Sequence, residues 1–292
     1  IYISPFEHNA VTRVLHRFES EEKIKVHLLT VTKDLTFDIQ RIKFQFDDVK
    51  PDFVIISHAS NVLGVIAPYE QVFTLAKKYN AITLLDMAQT AGLVDADVGQ
   101  EIVDFAVFAG HKTMYGPTGI SGFAMKPSCQ LEPILFGGTG FESANQDMPT
   151  VLPERFEIGT MNTQAIAGLY AALQWIEETR VQALFEREKE NRKRLIDLLN
   201  FYVFLKVIGD SAKANYVGIV SCVIDGISSD TAGQLFAERK IAVRTGLHCA
   251  PLAHKFIGTF PAGTIRFSTS FFTTDEDFEE LRQVLDDIGN NL

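Results

Sequence analysis

The stretch Val107-Phe108-Ala109-Gly110-His111-Lys112-Thr113-Met114-Tyr115-Gly116-Pro117-Thr118-Gly119 decides the fold of this 292-residue chain. A short apolar run from Asp104 to Phe108 predicts a buried strand, and the glycines and proline after it predict a loop. Burial in an apolar setting lowers the pKa of a lysine and leaves a nucleophilic amine. Such an amine suits a Schiff base with a carbonyl substrate or with pyridoxal phosphate (PLP), and an exposed loop lysine is the alternative.

The composition narrows the class of partner. Hydrophobic residues make up 46% of the chain, which is enough for a sizeable core in one large domain or two smaller ones. The formal net charge is −10, and no basic run stands out. Nucleic acid and anionic membrane surfaces are therefore poor candidates as partners.

The cysteines and the ends of the chain bear on its compartment. Cys129, Cys222 and Cys249 are scattered and odd in number, which favours a reduced compartment, so we expect a cytoplasmic protein. No apolar stretch approaches the length of a membrane span, and no signal peptide is visible. Ile1 already lies in a strand-like run and is not an initiator Met, so we expect the N-terminal part of the protein to be missing from this sequence.

The first half of the chain predicts a mostly parallel sheet. Apolar runs without alternation predict strands at residues 1–4, 26–31, 53–57, 82–85, 104–108 and 120–125. Amphipathic helices between such strands indicate an α/β fold with helices on both faces of the sheet. Ligands of these folds gather at the carboxyl ends of the strands. Ser57-His58, Asp86 and His111-Lys112 all follow predicted strand ends and therefore mark the expected pocket.

The second half predicts a smaller α+β domain. The pattern is helical from Ala165 to about Leu199, and further strands are predicted at residues 217–224, 241–244 and 264–269. Thr273 and Glu276 form a predicted capping box before a closing helix. We place the domain boundary near residue 170, which gives a large domain at 1–170 and a small domain at 171–292.

Asp86 gives Lys112 a chemical context. PLP works as an electron sink only while its pyridine nitrogen stays protonated, and an ionised carboxylate beside that nitrogen holds the proton. Asp86 and Lys112 follow neighbouring predicted strands and could supply both functions. A carboxylate that only caps a loop or a helix is the alternative for Asp86.

Several separated motifs resemble those of class V aminotransferases, most closely the branch of cysteine desulfurases and selenocysteine lyases. The motifs are, in chain order, Ile56-Ser57-His58-Ala59-Ser60-Asn61-Val62-Leu63-Gly64, Leu85-Asp86-Met87-Ala88-Gln89, Gly110-His111-Lys112, Gly159-Thr160-Met161-Asn162-Thr163 and Ala242-Val243-Arg244-Thr245-Gly246-Leu247-His248-Cys249-Ala250-Pro251. The resemblance implies PLP as cofactor and the PLP-dependent transferase fold type I. That fold has a large domain with a mostly parallel seven-stranded sheet and a smaller C-terminal α+β domain.

The resemblance implies roles around the cofactor ring. Lys112 resembles the lysine that bonds PLP and moves the substrate's protons, and Asp86 resembles the partner of the pyridinium nitrogen. Gln89 resembles the hydrogen-bond donor to the ring hydroxyl. His8, in Glu7-His8-Asn9, resembles the imidazole that stacks on the ring, and a loop histidine near a helix start is the alternative.

The resemblance also implies contacts with the phosphate and the substrate. Asn61 would lie beside the ring hydroxyl and the substrate carboxylate, and His111 would reach the phosphate side. Thr160 resembles the hydroxyl that meets the phosphate across a dimer interface, so a homodimer is implied. Arg244 and Arg266 resemble the guanidinium pair near the substrate carboxylate, since a bidentate fork matches a carboxylate well.

Cys249 is the residue that would distinguish a desulfurase from a plain aminotransferase. It follows a predicted strand and lies near Arg244, His248 and His254, and nearby cations raise the thiolate fraction of a cysteine. A thiolate there could attack the sulfur of a bound cysteine and form a persulfide on Cys249, with alanine as the other product. A sulfur-acceptor protein would then take the sulfur.

The other cysteines and a metal site are weaker candidates. Cys222 is expected to be a buried strand residue, and Cys129 a surface or packing residue. His248, Cys249 and His254 could also belong to a zinc site, but a structural zinc needs four ligands and no second cluster completes it. We therefore predict no metal.

Two departures from the family pattern favour weaker cofactor binding. Ala109 stands where relatives commonly have a hydroxyl residue that bonds the phosphate. The Gly/Thr-rich turn that cradles the phosphate in relatives precedes the stretch that matches Glu7-His8, and no such turn occurs upstream of it. A chain confined to these residues is thus expected to bind PLP poorly. Selenocysteine lysis, aminotransfer, β-elimination and a truncated, non-catalytic paralogue remain the alternatives.

Overall fold

The computed structural model describes residues 1–290 as two sheets with helices packed around them. The strands are β1 (Tyr2–Ile3), β2 (His27–Leu28), β3 (Phe53–Ser57), β4 (Ile82–Asp86), β5 (Phe105–Ala109), β6 (Ser121–Met125), β7 (Leu205–Ile208), β8 (Ile219–Ile224), β9 (Arg244–Gly246) and β10 (Thr264–Ser268). The helices are α1 (Asn9–Ser20), α2 (Ile39–Asp48), α3 (Tyr69–Lys77), α4 (Thr163–Thr179), α5 (Val181–Asn200), α6 (Ser229–Glu238), α7 (Pro251–Ile257) and α8 (Asp275–Asn290). Among these described helices, none has the length and apolar character needed to cross a membrane.

The first sheet confirms the predicted α/β class. Its strand order is β2-β1-β3-β4-β5-β6, and all neighbours run parallel except β6, which is antiparallel to β5. The described residues thus supply six strands, where the fold type implies seven. Ser57 pairs with Asp86, and Asp86 pairs with Val107, so the ends of β3, β4 and β5 lie side by side.

Apolar residues bury both faces of this sheet, as expected of parallel strands between helices. Val54 and Ile56 of β3 pack into a large core with Phe46 of α2. Ile55, which points to the opposite face, packs with Leu15 of α1. The faces of β1, β3 and β4 are therefore largely covered, whereas much of β6 at the sheet edge is exposed.

The second sheet, in the order β7-β8-β10-β9, is antiparallel and has its own core. Val220 and Ile265 of this sheet pack against Phe236 of α6 and Leu285 of α8. The sheet lies wholly within residues 171–292, and the six-stranded sheet lies wholly within 1–170. Residue 170 itself lies inside the continuous helix α4, so the division at 170 stays a proposal about cores and does not mark a break in the chain.

Three local predictions need correction. The helical stretch from Ala165 to Leu199 is two helices, because Arg180 adopts a left-handed backbone with φ of 74° and ends α4. The predicted strand at 241–244 starts only at Arg244, where pairing with β10 begins. The capping box lies one residue later than predicted: the Asp277 carboxylate accepts from the Thr274 amide (2.7 Å), and Thr274 Oγ1 accepts from the Asp277 amide (3.3 Å).

Gly64 brings the two sheets together beside the expected pocket. Its φ of 73° is left-handed, and its carbonyl accepts from the Val217 amide at 2.9 Å. A Cβ at this position would lie 2.9 Å from the carbonyl oxygens of Val217 and Ile219. The loop after β3 can therefore approach the start of β8 only because residue 64 is glycine.

We expect Gly64→Ala to lower the free energy of unfolding by about 2 kcal/mol or more, because it adds both a left-handed strain and a steric clash. Gly138→Ala is the matched control, since Gly138 is not left-handed and has open space around it. The control should stay within about 0.5 kcal/mol of the parent in urea denaturation. Equal midpoints for the two variants would contradict this account of the junction.

Candidate active site

The site centres on the amine of Lys112, in the loop that follows β5. A tight turn presents this residue: the Lys112 amide donates to the Ala109 carbonyl (3.2 Å), and the Gly116 amide donates to the Gly110 carbonyl (2.7 Å). Desolvation lowers the pKa of Lys112, the Arg266 and Arg244 guanidiniums lower it further, and the Asp86 carboxylate opposes them. The side chain remains open to solvent, as a nucleophile that must meet a ligand requires.

Asp86 ends β4, next to the strand that leads to Lys112. One of its carboxylate oxygens, Oδ1, accepts from the Ala88 amide at 2.9 Å, which holds the side chain at the strand end. Because the charge of Asp86 raises the pKa of both Lys112 and His8, the three side chains lie within electrostatic reach of one another. The structure therefore brings together the acid and the amine that the sequence places on neighbouring strands.

His8 has a structural role of its own, as the cap of helix α1. Its Nδ1 accepts from the Ala10 amide at 3.0 Å. Burial lowers the pKa of His8, and the charges of Lys112 and Arg244 lower it further. A capped helix start and a neutral ring are compatible with the predicted stacking on a cofactor, because the cap uses only the ring edge.

Glu7 is a buried acid that the sequence analysis does not single out. It is fully buried and accepts from Ser4 Oγ (2.6 Å), from the Ser57 amide (2.8 Å) and from Ser57 Oγ (2.7 Å). Burial raises the pKa of Glu7 to about 7, and the charge of Asp86 adds to this effect. Glu7 thus ties the loop that carries His8 to the end of β3, beside Asp86. The only sequence signal is its position just before His8.

Arg266, Arg244 and Asn61 approach the amine from the second sheet and from the loop after β3. Arg244 and Arg266 are direct partners in the antiparallel pair of β9 and β10. Arg266 Nη1 donates to the Asn61 carbonyl at 2.8 Å. Asn61 Oδ1 and Arg266 Nε are buried and have no hydrogen-bond partner among the described residues. Buried polar atoms are nearly always paired, so these two indicate a polar ligand at this place.

Cys249 lies in a turn beside the same arginines. Arg244 Nη2 lies 3.2 Å from Cys249 Sγ, a distance at which the guanidinium donates to the sulfur. Cys249 is half-buried and lies within electrostatic reach of Lys112 and Arg266. Cys222, in contrast, is fully buried in β8, where burial raises the pKa of its thiol to about 12. The structure thus separates a half-buried thiol in contact with a guanidinium from a thiol that is fully buried in a strand.

A small side cavity of about 160 Å³ opens beside Lys112. It is lined by polar groups from both halves, among them Gln89, Thr113, Glu188 and Thr269. Glu188 is buried and accepts from the Gly218 amide at 2.7 Å, and burial raises its pKa to about 7. Gln89 and Lys112 therefore line the same cavity, and the predicted contact of Gln89 with the ring hydroxyl stays a prediction.

The remaining predicted residues are less constrained. His111 and Thr160 are exposed side chains, and their proposed contacts with a phosphate stay predictions. The His58 side chain is buried against the core: its Nδ1 is 3.0 Å from Thr90 Oγ1, and burial lowers its pKa to about 4. The expectation that His58 marks the pocket is therefore wrong, because the strand alternation turns it into the core.

The arrangement fits PLP. Lys112 supplies an amine of lowered pKa, Asp86 a carboxylate at the adjoining strand end, and His8 a ring beside both. The orphaned Asn61 Oδ1 and Arg266 Nε are free to bind polar substituents of a cofactor or substrate. Among residues 1–290 no three His, Cys, Asp or Glu side chains meet in a way that could hold a metal ion.

Comparison with known proteins decides the family. The family model described as Aminotransferase class-V matches residues 1–281. The chain belongs to this family. A protein of Mycobacterium leprae named probable cysteine desulfurase 2 is 32% identical over 256 residues, and a cysteine desulfurase of Shigella flexneri is 31% identical over 287 residues. These matches confirm the predicted superfamily and its cysteine desulfurase branch.

Solved structures agree with these relatives. The apo cysteine desulfurase of Thermococcus onnurineus NA1 is 28% identical and superposes over the whole chain with a TM-score of 0.90. A cysteine desulfurase of Escherichia coli is 25% identical, with a TM-score of 0.86. The fold class is thereby confirmed, and membership of this family implies dependence on PLP.

The chain covers only part of each relative. The match with the M. leprae protein covers 86% of this chain and 60% of that protein. The match with the S. flexneri protein covers 96% of this chain and 69% of that protein. In the comparison with the T. onnurineus structure it covers 73% of that chain. What the relatives do as whole proteins therefore supports a proposal for this chain.

Glu7 predicts how stability changes with pH. Its pKa is about 7 in the folded protein and 4.5 ordinarily, so the folded state holds a proton that the unfolded state releases. Its contribution to stability is complete below pH 4.5 and is lost as the pH rises towards 7. Over that range the contribution amounts to about 3 kcal/mol. In Glu7→Gln, which keeps the shape, this part of the pH dependence should be absent.

Urea denaturation at intervals between pH 5 and 8 measures this difference. Glu178→Gln, on the exposed face of α4, is the control and should follow the parent. Identical pH profiles for Glu7→Gln and the parent would show that Glu7 does not titrate in this range.

Proposed function

We propose that this chain carries the active site of a PLP-dependent cysteine desulfurase, which forms a persulfide on Cys249 and releases alanine. The observation that carries the proposal is the place of Cys249: an accessible thiol, in contact with Arg244, within electrostatic reach of Lys112. Among the relatives, those named above are called cysteine desulfurases, which supports the same reaction.

The chain's own residues would hold the cofactor. Lys112 would bond it, Asp86 would pair with the ring nitrogen, and His8 would stack on the ring. Gln89 and Asn61 would bind the ring hydroxyl, and His111 would face the phosphate. When bound, PLP supplies an electron sink for bonds that break at the substrate's α-carbon.

The substrate carboxylate would bind to Arg266, with Arg244 and Asn61 nearby. Arg266 is half-buried and already held by the Asn61 carbonyl, so its guanidinium is oriented before the substrate arrives. Its unpaired Nε supplies a donor that a carboxylate oxygen would accept. These donors select a carboxylate, and cysteine is the small amino acid that the proposed chemistry uses.

The sulfur step balances without a further reactant. The Cys249 thiolate attacks the substrate sulfur, so an S–S bond forms and the substrate Cβ–S bond breaks. The bonding electron pair stays with the substrate carbon, which takes up a proton and becomes the methyl group of alanine. Lys112 would move protons at the substrate, a role favoured by the desolvation that lowers the pKa of its amine. A sulfur-acceptor protein would complete the cycle.

Replacement of Cys249 tests the reaction. We expect Cys249→Ser to reduce sulfide release from cysteine by about 10³-fold or more, because a hydroxyl cannot accept the sulfur as a persulfide. The visible absorbance of bound PLP should persist, and borohydride reduction with peptide mapping should place PLP on Lys112. Cys129→Ser is the control, since Cys129 lies away from the site, and it should release sulfide like the parent.

Other PLP reactions give different outcomes in the same assay. Undiminished sulfide release by Cys249→Ser would show that the thiol is a spectator, and a comparison of cysteine, selenocysteine and cysteine sulfinate would then identify the substrate. Absence of PLP from the parent protein would favour a non-catalytic paralogue. Ala109, which cannot bond the phosphate as a hydroxyl residue would, supports that alternative. A fully loaded, yellow protein would contradict the expectation of weak PLP binding.

A homodimer is the second part of the proposal. Three neighbouring apolar residues between β6 and α4 are strongly exposed: Ile134 (90%), Leu135 (66%) and Phe136 (72%). Thr160, which would meet the partner's phosphate, lies in the same connection. Exposed apolar patches of this kind mark protein interfaces.

We also propose a cytoplasmic location, since all three cysteines are free thiols.

Phe136→Asp should convert the dimer to a monomer, because it places a charge in the apolar patch. Sedimentation velocity at micromolar concentration measures the change. Phe44→Asp is the matched control, since Phe44 is 67% exposed and lies on α2, outside the connection between β6 and α4. If Phe136→Asp sediments like the control, this patch does not form the interface.

A further inference from the structure

The backbone around Cys249 is unusual for residues other than glycine. His248 has a φ of 49° and Cys249 a φ of 59°, so two consecutive side chains adopt the left-handed conformation. Such a conformation persists only where the surrounding structure holds it in place, and it clusters at functional sites. The contacts that hold this turn are therefore the contacts that place the thiol.

A closed ring of hydrogen bonds holds the turn. Asn61 Nδ2 donates to the His248 carbonyl (2.7 Å), and His248 Nε2 lies 2.9 Å from Thr264 Oγ1. Thr264 Oγ1 donates to Ser221 Oγ (3.2 Å), and Ser221 Oγ donates to the Val62 carbonyl (2.6 Å). Val62 follows Asn61 in the chain, so the ring is complete.

The direction of each bond in the ring can be assigned. A carbonyl only accepts, so Ser221 uses its proton on Val62, and Thr264 uses its proton on Ser221. His248 Nε2 must therefore carry the proton that Thr264 Oγ1 accepts. His248 is neutral, because burial and the charges of Arg266, His254 and Arg244 lower its pKa to about 3. One arrangement of protons satisfies all four hydrogen bonds of the ring.

The ring joins the two halves of the protein. Asn61 and Val62 belong to the loop after β3, whereas Ser221 lies in β8 and Thr264 in β10. Both hydroxyl residues are fully buried, where hydrogen bonds are strong and unpaired groups are costly. A further bond, from the Asn9 amide to the Cys249 carbonyl (2.7 Å), ties the turn to the start of α1.

We propose that this ring fixes the Cys249 thiol relative to the Lys112 site, and that Thr264 and Ser221 are positioning residues for sulfur transfer. The inference rests on the proposed function, because it assigns the ring a purpose in that reaction. A nucleophile must meet the reacting atom at a set distance and angle, and small displacements cost large factors in rate. Loss of a ring hydroxyl would let the turn relax and withdraw the sulfur from Arg244.

Thr264→Val tests this role, because it keeps the shape of the side chain and removes the hydroxyl. Thr264→Ser restores the hydroxyl. Thr259→Val is the matched control, since Thr259 Oγ1 bonds a neighbouring histidine, His254 Nδ1 (2.7 Å), outside the ring. All three are compared with the parent in two assays, one of which needs neither PLP nor substrate.

The first assay is alkylation of the cofactor-free protein by iodoacetamide, followed by peptide mass spectrometry with Cys129 as internal reference. We expect Thr264→Val to slow alkylation of Cys249 about threefold or more, because the sulfur loses its cation. The Ser variant and the Thr259→Val control should stay within about twofold of the parent. The second assay is sulfide release, in which kcat of Thr264→Val should fall about tenfold with KM changed less than about threefold.

An alkylation rate of Thr264→Val equal to that of Thr259→Val would overturn the inference, and so would a failure of the Ser variant to restore kcat. If Thr264→Val does not fold, Ser221→Ala replaces it, because it breaks the same ring at the next bond. If the parent releases no sulfide but Thr264→Val still slows alkylation, the proposed function fails while the positioning of the thiol stands.

Discussion

The site depends on the pairing of three parallel strands. Because Ser57 pairs with Asp86 and Asp86 pairs with Val107, the chain leaves β3, β4 and β5 at one edge of the sheet. That edge receives Asp86 directly and Lys112 through the short loop after β5. Helices cover much of the two faces of the central strands, and ligands of such sheets bind where the strands end. The field of Asp86 then acts on an amine that is partly removed from water.

The charges around this edge come from two sources. The six-stranded sheet contributes acids, Asp86 and the buried Glu7, whereas the second sheet contributes the arginines Arg244 and Arg266. Lys112 lies between them, and both arginines act to lower its pKa. Glu7 is buried without a cation partner and depends on three donors for its hydrogen bonds. The pKa of the Lys112 amine is therefore set by groups from both halves of the protein, Asp86 from one and the two arginines from the other.

The sequence predicts this arrangement as far as local pattern reaches. Asp86 and Lys112 can be found because each follows an apolar strand, and the parallel class of the sheet implies that such ends meet. Cys249 and the arginines can be found from motif resemblance. The break at Arg180 cannot, because helical periodicity continues across it and only a left-handed residue interrupts the helix. The capping box is found to within one residue, because Thr273 and Thr274 are equivalent in pattern. His58 misleads because it stands beside a strand end and yet faces the core.

Thr264 and Ser221 show the limit of such reasoning most clearly. In the sequence they are ordinary hydroxyl residues of two strands, 43 positions apart, and their link to Val62 spans 159 positions. No local period predicts a partner at that distance, because it arises only when the two sheets pack together through Gly64. Asn61 contacts both the Cys249 turn and the arginines. Its side-chain Nδ2 donates to the His248 carbonyl, its backbone carbonyl accepts from Arg266, and its side-chain Oδ1 is left for a ligand. A ligand that binds to Asn61 Oδ1 therefore contacts the same residue that positions Cys249 and Arg266. Ligand binding and the proposed chemistry thus depend on one side chain.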